Sequence, residues 1–87
     1  MVTGPEIAQR AKAQLAQLTG LRPDTVSSLA KDQEGWRVTV VLVEMKRIPE
    51  ATDVLASYEA LFDLEGNLLS YQRTKRYYRG QIGDEEA

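Results

Sequence analysis

Residues 70–80 read Ser-Tyr-Gln-Arg-Thr-Lys-Arg-Tyr-Tyr-Arg-Gly. Four cations, Arg73, Lys75, Arg76 and Arg79, stand among three tyrosines, Tyr71, Tyr77 and Tyr78. Guanidinium and ammonium groups attract phosphates and carboxylates, and tyrosine rings stack on bases or pack on apolar side chains. The stretch therefore suits an acidic protein surface or a nucleic-acid backbone. It also suits a plainer purpose, because charge on an exposed edge strand blocks edge-to-edge pairing. The whole chain weighs against nucleic acid. It carries 11 Lys and Arg against 13 Asp and Glu, a net charge of −2, whereas nucleic-acid modules are usually basic on balance. No second basic cluster reinforces the first, and Asp84, Glu85 and Glu86 follow at once. Edge protection stands first, docking on an acidic protein second and nucleic acid third.

Other chemistry finds little to use. The chain has no histidine and no cysteine, which removes the commonest general base, the thiolate nucleophile and the commonest metal ligands together. Glu44, Glu50, Asp53, Glu59 and Asp63 are scattered along the chain, and solvation is the usual role of such carboxylates. The glycines are well separated and form no phosphate cradle. No catalytic residue, metal site, cofactor or small-molecule substrate is expected. Trp36, opening a valine-rich run, reads as a core aromatic.

The elements that would position the basic stretch follow from spacing. At 87 residues the chain is read as one domain over 1–83 with an acidic tail at 84–87. No apolar segment resembles a signal peptide, and the longest apolar run, residues 40–43, is far short of a membrane span. Ile7, Ala8, Ala11, Leu15 and Leu18 mark one face of a helix over about 5–18, with Thr3 or Gly4 as its cap, Pro5 in its first turn and Gly20 closing it. Pro23-Asp24 reads as a turn leading into one short helical turn through about Ala30. Residues 36–47, 54–63 and 68–79 read as strands. The fold class is α+β: an N-terminal helix packed on one face of a three-stranded antiparallel meander, with a short helical turn between helix and sheet. The other sheet face would then expose Val41, Val43, Met45, Leu55 and Leu61, a candidate partner-binding patch that also admits homodimerisation. The third strand is an edge strand in either of two registers. One places Leu69, Tyr71, Arg73, Lys75 and Tyr77 on the core face; the other places Leu68, Ser70, Gln72, Thr74 and Arg76 there.

Residues 35–81, GWRVTVVLVEMKRIPEATDVLASYEALFDLEGNLLSYQRTKRYYRGQ, resemble the gas vesicle protein O (GvpO) family. The matching pieces are a Gly-Trp opening a valine-rich strand, then VE, RIP and TDVLA.YE, then D..G.L..Y.R..RY.RGQ. Met45-Lys46 departs from the family pattern, where acidic or aliphatic residues are common. The resemblance implies a non-enzymatic accessory protein of gas vesicle assembly, cytoplasmic and vesicle-associated, with other gas vesicle proteins, shell and accessory, as its partners. It also admits a regulator of gas vesicle gene expression that binds nucleic acid. The residues offered to a partner are Arg73, Lys75, Arg76, Tyr78 and Arg79 of the basic strand and the apolar patch beside them.

Overall fold

A computed structural model describes residues 2–81; the acidic tail expected at 84–87 lies outside the described residues. Thr3 opens the helix through a reciprocal cap. Its backbone N–H donates to Glu6 Oε1 at 3.0 Å, and its Oγ1 accepts from the Glu6 N–H at 3.4 Å. Both groups would otherwise lack partners at a helix start, and the Thr3 N–H holds the Glu6 carboxyl below its usual range. Helix α1 spans Gly4–Thr19. It closes at Gly20, whose φ of 75° is left-handed and free of Cβ strain; the Gly20 N–H donates to the Ala16 carbonyl at 2.9 Å. The expected helix and both its ends are in place. Ile7, Ala11 and Leu15 of its stripe are fully buried.

The sheet has four strands, which corrects the three-stranded expectation. Strands β1 (Arg22–Lys31), β2 (Gly35–Met45), β3 (Val54–Asp63) and β4 (Leu68–Tyr78) pair antiparallel in chain order. Where a short helical turn is expected, β1 runs as an edge strand. The reason is a pair of bulges. Pro23 pairs with Leu42, Thr25 with Val41, Val26 with Val40 and Ser28 with Thr39, so Asp24 and Ser27 are extra residues. Each bulge adds one residue to the strand's period of two. Pro23, Val26 and Leu29 thus share the helix-facing side at a spacing of three, which imitates a helical pattern. Pro23 is tolerated because an edge strand can lack an N–H.

The central strands keep their alternation. Val38, Val40 and Leu42 of β2 and Ala60 and Phe62 of β3 join Ile7, Ala11 and Leu15 in the core. Trp36 is half-buried against this cluster, with Lys31 Nζ 5.3 Å from its ring centroid. Fully burying one large aliphatic or aromatic side chain contributes about 1.5–3 kcal/mol. Gly35 starts β2 opposite Asp63 with φ 155°, and a Cβ there would run into the Phe62 carbonyl.

A tight turn joins β3 to β4. Asp63 Oδ1 accepts from the N–H groups of Glu65 and Asn67, each at 2.9 Å. The Asn67 N–H is the main cause of the lowered Asp63 pKa. Arg10 of α1 donates from Nη1 to the Gly66 carbonyl at 3.0 Å, tying helix to turn. Neither expected register holds along all of β4, because Leu69 and Thr74 are bulged. Leu68, Tyr71, Arg73, Arg76 and Tyr78 stand opposite Phe62, Ala60, Tyr58, Ala56 and Val54, on the face that carries the helix.

Candidate partner-docking surface

The basic stretch divides into two assemblies with different environments. The first is built on the helix side of β4. Arg73 stands beside Tyr58 and Arg76 beside Ala56, so the small Ala56 leaves room for side chains to reach across β3. Both guanidiniums converge on one carboxylate of β2: Arg73 Nη1 lies 3.1 Å from Glu44 Oε2, and Arg76 Nε lies 2.9 Å from Glu44 Oε1. Glu44 can reach them because it follows Leu42 on the helix side of β2, while the bulge between Val43 and Met45 leaves it without a partner residue on β3. The Glu44 side chain is largely enclosed at 15% exposure, whereas those of Arg73 and Arg76 are 51% and 57% exposed. Two cations thus share one anion, and the group presents net positive charge to solvent. Tyr71 and Tyr78, 39% and 46% exposed, stand at either end of the row. Tyr71 also rests against Tyr58, with ring centroids 6.4 Å apart.

The second assembly lies beyond β4 and is closed in on itself. Asp53, between the 3₁₀ turn Glu50–Thr52 and β3, is fully buried. Its Oδ1 accepts from the Arg47 N–H at 2.7 Å. Its Oδ2 lies 3.1 Å from Lys46 Nζ and accepts from Arg79 Nε at 3.2 Å. The Arg79 N–H donates to the Asp53 carbonyl at 2.9 Å, and Arg79 Nη2 reaches Asp24 Oδ1 of β1 at 3.3 Å. The Arg47 N–H foremost, then Lys46 and Arg79, hold the Asp53 carboxyl below its ordinary range against the opposing effect of burial. Asp53 raises the Lys46 pKa in turn, and Asp24 raises that of Arg79. This clamp ties the β2–β3 connection, the edge strand β1 and the end of β4 together.

The sequence-predicted site residues are therefore separated. Arg73, Arg76 and Tyr78 share the helix side. Lys75 is on the opposite face, paired with Ser57, with Nζ 5.9 Å from the Tyr77 ring centroid. Arg79 belongs to the clamp. The expected apolar patch does not form one exposed surface. Val41 is 4% exposed and Leu55 0%; Val43 and Leu61 are half-buried. Met45, 47% exposed, is carried to the helix side by the bulge at Glu44 and pairs there with Val54. Glu59 lies 3.6 Å from Arg37 of β2. Sequence reasoning missed Asp53, Asp24 and Glu44, whose partners are 20 or more residues away in all but the Lys46 and Arg47 contacts. Tyr71 was visible in the basic stretch, though not as a member of this row.

A shallow cavity of about 310 Å³ opens between the two assemblies, lined by Arg47, Val54, Arg76, Tyr77 and Tyr78. Among the described residues no cluster of acidic side chains is placed to hold a metal ion. Nor is any helix there long and apolar enough to cross a membrane.

The family model described as "Gas vesicle synthesis protein GvpO" matches residues 2–83. The chain is 41% identical over 75 residues to gas vesicle protein O of Streptomyces sp. (strain CB03234), an alignment covering 86% of this chain and 59% of that protein. It is 36% identical over 56 residues to gas vesicle protein O of Haloferax mediterranei, covering 64% of this chain and 40% of that one. It is 35% identical over 54 residues to gas vesicle protein O1 of Halobacterium salinarum, covering 62% and 45%. The matched part is thus roughly half the length of these relatives. No solved structure matches the chain.

Proposed function

This chain belongs to the GvpO family of gas vesicle synthesis proteins, and from that premise we propose that it serves vesicle assembly as a small non-enzymatic adaptor. It docks on other gas vesicle proteins in the cytoplasm, at the growing vesicle. The observation that carries this reading is the exposed pair Arg73 and Arg76 sharing the single carboxylate of Glu44. A positive, tyrosine-flanked surface of this kind suits an acidic protein partner, because arginine and tyrosine are enriched where interfaces concentrate their binding energy. Val43 and Leu61, half-buried on the face without the helix, can add only a small apolar contact.

The test is a tagged pull-down from cells expressing this chain together with the other gas vesicle proteins, with nuclease added to the lysate. Recovery of gas vesicle proteins that survives nuclease supports the adaptor and identifies its partner. Recovery abolished by nuclease moves the function to nucleic-acid binding, with a steep loss of affinity as salt rises. No recovery under either condition removes the adaptor reading.

A further inference from the structure

Helix α1 packs mainly over β1 and β2, and the sheet extends past it. Strands are spaced about 4.8 Å apart, and a helix with its side chains is about 10 Å across. One helix therefore spans about two strands; the helix-side residues Val54, Ala56, Ala60 and Phe62 of β3 are nevertheless buried, and the exposed part of this side is the row on β4. This exposed part is not apolar throughout. It carries Tyr71, Arg73, Arg76 and Tyr78 in one row, with Met45 joined to Tyr78 through the shared partner Val54. Leu18 is 53% exposed although it continues the buried stripe of α1. It lies at the same end of the sheet as Met45, because Arg22, just past the helix, pairs with Val43.

We propose that this exposed outer row of the helix side receives an acidic amphipathic helix of a partner protein, with its carboxylates against Arg73 and Arg76 and its apolar stripe against Leu18, Met45 and Tyr71. This refines the adaptor reading and rests on it. Charge selects an acidic occupant, since two guanidiniums here share one carboxylate. Arg47 beside them has no side-chain ion pair within the described residues. The form of the occupant follows from the bulges. Leu69 and Thr74 interrupt the outer ladder of β4, so its edge is a poor template for an added strand. A helix laid along the β4 row uses none of that ladder.

The experiment places a photo-crosslinking phenylalanine derivative at Tyr71 in one variant and at Ser28, on the opposite sheet face, in another. Each is expressed with the other gas vesicle proteins, and the crosslinked peptides are sequenced by mass spectrometry. The expected result is a crosslink from position 71 alone, to a gas vesicle protein segment rich in Asp and Glu with apolar residues at i, i+3, i+4 and i+7. In the background of Arg73→Gln plus Arg76→Gln, a folded protein should lose this crosslink by about tenfold. Crosslinks from position 28 instead, or from 71 to a basic or strand-forming segment, overturn the inference and leave the adaptor reading standing. Crosslinks to nucleic acid alone, or to no gas vesicle protein from either position, overturn both.

Discussion

Arg76 and Arg79 are three residues apart on one strand end, yet one is presented and the other is locked. Arg79 meets two carboxylates, Asp53 and Asp24, and the nearer one is fully buried. Arg76 shares its carboxylate with Arg73 and keeps more than half of its side chain in solvent. The number of anions per cation separates the roles. Where anions outnumber or match the cations, the group satisfies itself and joins chain segments. Where cations outnumber anions, charge is left over for another molecule. Burial adds to the contrast, because an ion pair withdrawn from water is costly to break from one side, whereas an exposed pair contributes little.

The largest effect expected from breaking the clamp is that of Asp53→Ala. It leaves Lys46 and Arg79 without their shared partner and the Arg47 N–H without an acceptor. The melting temperature should fall by roughly 10 °C, as read by circular dichroism. Arg79→Ala should cost less, about 5 °C, because Arg47 and Lys46 still satisfy Asp53. Its recovery of partner protein in a pull-down should be retained; if recovery is lost in a folded protein, Arg79 is a contact and the division drawn between the arginines fails.

Acid sharpens the same contrast. Asp53 has a lowered pKa in the folded protein. On acidification the unfolded chain therefore takes up the proton first, and the stability due to the ionised group, complete above the unfolded value, is lost as pH falls through the folded one. Asp53→Asn lacks this term. The difference in melting temperature between wild type and Asp53→Asn should be constant near neutrality and narrow below about pH 4. A gap that persists unchanged in acid would mean that the charge of Asp53 is not what stabilises the clamp.

The presented pair should behave in the opposite way. Arg73→Ala plus Arg76→Ala should shift the melting temperature by no more than about 2 °C while abolishing partner recovery. Glu44→Gln should have the smallest effect on stability. It releases both guanidiniums, so recovery of an acidic partner should rise, and that rise should be erased by high salt. A fall in recovery at low salt would show that Glu44 positions the arginines and that their orientation outweighs the charge it removes.

The helix was legible because all its signals are local. Thr3, Pro5, Glu6 and Gly20 act within a turn of their own positions, and Ile7, Ala11 and Leu15 repeat at helical spacing. The central strands were legible for a similar reason: both stay regular over most of their length, so alternation in β2 and β3 maps directly onto two faces. The edge strands were not. In β1 the local turn signal at Pro23-Asp24 points to a helical turn, and the bulges at Asp24 and Ser27 replace the strand's period of two with a spacing of three, so no alternation marks the strand. In β4 the bulges at Leu69 and Thr74 put Tyr71, Arg73, Arg76 and Tyr78 in one row, an arrangement that neither uniform register contains. The same effect moved Met45 away from the patch in which alternation had placed it.

The residue types and short-range spacings were enough to establish an α+β chain with a capped amphipathic helix, regular central strands, an absence of histidine and cysteine chemistry, and a basic, tyrosine-rich strand at one edge. Their physics acts over a turn of helix or along a single strand. The number of strands, the face on which each arginine stands and the division between clamp and presented pair came from the assembled sheet. A bulge is fixed by the neighbouring strand, and a carboxylate chooses its cations only after residues as distant as 24, 53 and 79 are brought within about one hydrogen bond of each other.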